Sequence, residues 1–129
     1  MTIENVGAGE LQTQVNTGIA HTGGVTGRTF VKFQAAPNVY TTCGAGEQSA
    51  GVAEFDAAAG ASFPLHEIGH IAVLSGAAVA AGAEVMSNAA GKAITGTATN
   101  LSLGQAMTAA GGADELIIVK LYNVGQTLA

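Results

Sequence analysis

The sequence predicts an all-β domain, a small antiparallel β-barrel or sandwich. Three observations carry that expectation. Short runs of β-branched and aromatic residues recur at about 8–12-residue spacing, separated by Gly, Pro, Asn and Asp, the pattern of short strands joined by tight turns. Gly interrupts nearly every Ala run, so the 26 Ala and 19 Gly among 129 residues do not add up to helices. Ala57–Ala59 stops at Gly60, Ala77–Ala81 at Gly82 and Ala109–Ala110 at Gly111. Each such Gly costs about 1 kcal/mol relative to Ala inside a helix. Finally, 48% hydrophobic content can build a core, although only 10% of residues are charged and 5% aromatic.

Residues 1–27 differ from the remainder. They hold six Gly, many Thr, Asn and Gln, and few large apolar side chains. Such a stretch cannot bury enough surface to fold by itself, and it reads as an extended arm. The arm is either a frayed terminus or a segment that orders on a neighbouring subunit. Residues 28–129 form the single folded domain. Thr29–Phe33 is the first strand, and Ala36-Pro37-Asn38 turns the chain into a second, Val39–Cys43. Gly44-Ala45-Gly46 ends it. Gly51–Phe55 is a third short strand, closed by Asp56–Gly60, and Phe63-Pro64-Leu65 starts another.

A weak internal repeat follows. Ala59-Gly60-Ala61-Ser62-Phe63 is echoed 22 residues later by Ala81-Gly82-Ala83-Glu84-Val85, and in both a small-residue turn delivers a strand. Two units do not make a solenoid. After Met86, Ser87–Gly91 is a turn and Lys92–Thr95 resumes as strand. Leu101–Met107 suits a strand or one helical turn, and Leu116–Tyr122 is the last strong strand. One or two short helices are compatible with the pattern.

Composition excludes several classes. Two Pro and no three-residue Gly period exclude collagen, and a lone Cys43 excludes a disulfide scaffold. Cys43 reads as a small buried residue. A net charge of −5 disfavours a basic nucleic-acid surface. The start of the chain has no basic n-region or apolar h-region, so no signal peptide is expected. The most apolar stretch, Ile71–Ala83, is 13 residues, short of the ~20 a spanning helix needs. A soluble protein made in a cytosol is the expectation, without membrane or nucleic-acid partner.

One five-residue string looks like chemistry. His66-Glu67-Ile68-Gly69-His70 matches H-E-x-x-H, in which zinc peptidases place two His ligands one helical turn apart and use the Glu as general base. On a strand the two His would stand about 13 Å apart, too far for one zinc with Zn–N bonds near 2 Å. A helix is therefore mandatory. It could start at Ser62 with Pro64 in its first turn, but Gly69 weakens it. The extended zincin pattern needs Gly at 73 and His at 76, where this chain has Val73 and Gly76. His21 lies in the expected arm, and Glu84 follows too closely. Coincidence is the better reading, with Gly69 as a turn or bulge between strands. A zinc-dependent metallopeptidase through His66, Glu67 and His70 is the alternative, and zinc content discriminates between them. The P-loop, dinucleotide fingerprint and G-x-S-x-G elbow are all absent. No catalytic, cofactor-binding or metal residue is assigned, and no cofactor is expected.

The order of the turn motifs is more telling. Gly27-Arg28-Thr29-Phe30-Val31, Gly51-Val52-Ala53 and Asp56–Gly60 come first, then Gly69 with its apolar strand and Ser75–Val85. Ala90-Gly91-Lys92-Ala93, Leu103–Ala110 and Ile117–Leu121 complete the series. Over residues 27–121 the chain resembles the small Gly/Ala-rich capsid decoration, or cement, proteins of tailed phages. The resemblance implies a compact β-barrel or sandwich, without catalytic residues, on the outside of the phage head. It implies major capsid protein as partner, bridged at neighbouring subunits to stabilise the expanded capsid. It further implies self-association, usually as a trimer, with a dimer also compatible. The His66, Glu67 and His70 combination departs from that pattern. Another β-barrel virion adaptor is a further reading.

Overall fold

A computed structural model of the chain describes residues 14–97 and 101–127. Nine strands appear in chain order: β1 Gln14–Ala20, β2 Phe30–Ala35, β3 Val39–Thr42, β4 Gly51–Ala53, β5 Ser62–Leu74, β6 Glu84–Ser87, β7 Ala93–Thr95, β8 Leu101–Ala106 and β9 Leu116–Thr127. No helix occurs among the described residues, so Leu101–Met107 resolves as strand and the allowance for short helices is unused. The hydrogen-bonded order is β1-β3-β2-β4-β5-β9-β8-β6-β7, and a β1–β5 pairing closes the first five strands into a barrel. The ladders between strands are antiparallel, except the short parallel β1–β3 ladder.

The 13-residue β5 is the shared wall. Its first half pairs with β1 and β4, and from Gly69 onward it pairs with β9. Gly69, at φ 112°, sits where the partners change. The expectation of a turn or bulge between two strands is corrected here: one strand runs through it, because a residue without Cβ lets the chain bend while both ladders persist. The second sheet is also nearly closed. An isolated parallel bridge joins Ser75, just past β5, to Ala93 of β7, and the Gly76 N–H donates to the Ala93 carbonyl at 2.8 Å. Closure of this kind covers edges that would otherwise template aggregation.

Two apolar clusters fill the molecule. The smaller lies inside the barrel and includes Val31, Ala53, Phe63 and Leu65, with Tyr40 packed against it. The larger lies between the barrel and the second sheet and includes Phe30, Val52, Val73, Val85, Ile117 and Val119. Consecutive residues of β2 and β4 therefore serve different cores: Phe30 and Val52 face one, Val31 and Ala53 the other. Side chains alternate across a strand, so a strand buried on both faces reads as continuously apolar, as Gly51-Val52-Ala53 does.

The arm expected over residues 1–27 is corrected over its second half; residues 1–13 lie outside the described residues. β1 pairs with β3 and β5 of its own chain, and Val25 is a buried core residue bridged to Ala57. The physical reason is that small residues complement large ones. A Cβ at Gly18 would stand 2.8 Å from the Phe63 ring and 2.9 Å from the Tyr40 ring. The rings supply the apolar volume that β1 itself lacks.

The 22-residue repeat is structural. Ala57 bridges Val25 and Val79 bridges Ala110. Each is followed by a turn with a left-handed Gly, Gly60 (φ 79°) or Gly82 (φ 89°), that leads into β5 or β6.

Candidate functional site

The H-E-x-x-H residues all lie in β5, so the helix that a zinc site of this pattern requires is replaced by a strand. At about 3.3 Å rise per residue, His66 and His70 cannot share a metal. His66 is 9% exposed and pairs with Val15 on one side and Val52 on the other. Its Nε2 lies 2.7 Å from Glu54 Oε1. With the proton on Nε2, Nδ1 is an acceptor, and it is buried without a partner. His70 stands opposite Lys120 on β9, and Glu67 lines a crevice with Ser49, Leu103 and Tyr122. Among the described residues no group of three or more His, Cys, Asp or Glu could hold a metal ion.

The polar groups that do converge are structural ties. Glu84 on β6 accepts from Ser102 Oγ of β8 at 2.5 Å and from Tyr122 Oη of β9 at 2.8 Å, so one carboxylate joins three strands. Lys32 pairs with Glu47 at 2.6 Å, and Lys92 with Asp114 at 2.5 Å. These pairs are open to solvent and worth little. The Lys32 ammonium and the Gly44 N–H hold the Glu47 carboxyl below its usual range.

Three neutral acids are held protonated. Burial pushes the Cys43 thiol and the Tyr40 phenol up. Burial followed by the Glu84 carboxylate does the same for Tyr122. A group whose folded pKa is raised binds its proton more tightly in the native state. Its contribution is complete below the unfolded value and lost as pH rises through the folded one. Resistance to urea should therefore hold up to about pH 8 and fall above about pH 10. Tyr122→Phe should blunt that fall. An unfolding midpoint that is flat from pH 8 to 11 would contradict these assignments.

The other distinctive feature of the surface is apolar. Val15, Phe33, Phe55, Met107 and Leu116 are exposed. Phe33 packs edge-to-face on Tyr40 (ring centroids 6.0 Å), and Tyr40 in turn on Phe63 (6.2 Å), so an aromatic chain runs from surface to barrel core. Sequence reasoning named none of these as contact residues. Val15, Phe33 and Leu116 lie on strands, where exposure follows from register and a one-residue change would reverse it, whereas Phe55 and Met107 follow the ends of β4 and β8.

Fold and surface together define an all-β structural module: a closed barrel backed by a second sheet, with bare apolar side chains. The chain belongs to the phage cement protein family, whose model matches residues 10–121. It is a structural protein of the phage virion. A solved structure, the head fiber gp8.5 N base of bacteriophage phi29, is similar to it with a TM-score of 0.71 and 13% identity. The match covers 89% of this chain and 98% of that one. At this identity the likeness shows the fold. No curated protein matches the sequence.

Proposed function

We propose that the protein binds the outer surface of the expanded phage head and cements neighbouring major capsid protein subunits. The family match over residues 10–121 carries this reading. The likeness in fold to a phage head fiber base is in keeping with it. A partner that binds the assembled lattice but not free subunits stabilises the lattice by mass action. The protein acts as an oligomer, a trimer by preference, so that several weak contacts add through effective concentration. It works by contact area and not by catalysis. The strand geometry of His66 and His70 supports that reading over a zinc peptidase. The protein is made in the host cytoplasm and resides on the capsid exterior.

Cosedimentation with expanded heads of its own phage, purified without this protein, tests the reading. Saturable binding at a fixed number of copies per head is expected. Heads that pellet without the protein at micromolar concentration would overturn it.

A further inference from the structure

The outer face of β5, β9 and β8 carries a registered block of apolar side chains. Leu74 stands opposite Leu116, and Ala72 opposite Ile118. Ala106 pairs with Val119, and the Met107 N–H donates to the Ile118 carbonyl at 2.7 Å, which extends the Ala72–Ile118 row to Met107. The odd-numbered neighbours Ile71, Val73, Ile117 and Val119 fill the core, so this block faces away from it. Leu116 is 60% exposed and Met107 45%. The solvated face of an antiparallel sheet is ordinarily polar. A contiguous apolar block there marks an interaction surface.

Charge frames the block. Of the four Lys and Arg, Lys32 and Lys92 are neutralised by Glu47 and Asp114. Arg28 and Lys120 make no ion pair among the described residues, and both border this face. Lys120 occupies the next row beyond Ile118. The Arg28 carbonyl accepts from the Leu74 N–H at 2.8 Å, at the other end. A chain of net charge −5 thus keeps two unpaired cations beside an exposed apolar surface, on which Glu115, next to Leu116, is the acidic neighbour.

Resting on the cement reading, we infer that this face docks on a major capsid protein surface that offers apolar side chains flanked by carboxylates. The two unpaired cations support that occupant, and a local contact of this kind suits one point of a multivalent attachment to a lattice.

The test compares binding to expanded heads for wild type, Leu116→Asp, Lys120→Glu and, as control, Phe33→Ser on the barrel. Each variant is checked for an unchanged urea midpoint and elution volume. Met107→Asp replaces Leu116→Asp if that variant does not fold. Leu116→Asp should weaken binding at least about tenfold, since a buried leucine is replaced by a desolvated charge. Lys120→Glu should weaken it several-fold and flatten its salt dependence. Phe33→Ser should bind as wild type does. Heads that bind wild type and Leu116→Asp equally would overturn this docking face while leaving the cement reading intact. A Leu116→Asp protein that elutes as a smaller species would place the face between copies of the chain, and would equally overturn it. Heads that fail to bind wild type would remove the cement reading and this inference with it.

Discussion

Phe30→Ala is expected to cost about 3–5 kcal/mol of folding stability, the range for removing a fully buried aromatic side chain and leaving a cavity. Phe30 is 0% exposed and belongs to the larger core. Its neighbour Val31 belongs to the barrel core. β2 is short and has partners on both edges, β3 and β4, so the backbone has little freedom to collapse into the space. The loss falls on the packing between the barrel and the second sheet. Urea denaturation checks it: the midpoint should fall steeply with an unchanged slope. A loss under about 1 kcal/mol would mean that the two layers do not depend on each other as the clusters indicate.

The second large effect is at Glu84. Truncation to Ala removes the acceptor for both Ser102 Oγ and Tyr122 Oη. Ser102 Oγ keeps the Gly104 carbonyl, 3.2 Å away, as an acceptor, so the loss falls mainly on Tyr122 Oη and about 1–3 kcal/mol is expected, less if water reaches that phenol. Glu84→Gln keeps an acceptor oxygen and should cost less. The pair Glu84→Ala and Tyr122→Phe should be strongly non-additive, because the two changes remove the same hydrogen bond. Additive losses would show that the carboxylate and the phenol act independently.

Much of the fold was legible because strands here are short and turns are strongly marked. Positive-φ glycines such as Gly60 and Gly82 end Ala runs where a helix would otherwise continue. The runs at Thr29–Phe33, Val39–Cys43 and Leu116–Tyr122 fall on β2, β3 and β9 to within a few residues. β1 was hidden by composition. Gly18 and Ala20 look like arm residues until Phe63 and Tyr40 are seen above Gly18. The length of β5 was hidden by Gly69, since a glycine that bends a strand and one that ends it look alike in sequence. The site was less legible still. H-E-x-x-H drew attention because its spacing has meaning on a helix, yet Ser62–Leu74 is a strand. The apolar block on the outer face could not be read from residues 72, 74, 116 and 118. Alternation of similar apolar residues does not say which set faces the core: Val73 and Ile117 went inward, and Leu74 and Leu116 outward.

The central claim is that this protein strengthens a phage head by binding across its subunits. Thermal disassembly of expanded heads, followed with increasing amounts of the purified protein, tests it most directly. The disassembly midpoint should rise with occupancy and level off when the sites are full, as linkage requires of a ligand that prefers the assembled lattice. A midpoint that stays constant while the protein is bound at saturation would show attachment without cementing, and would contradict the account.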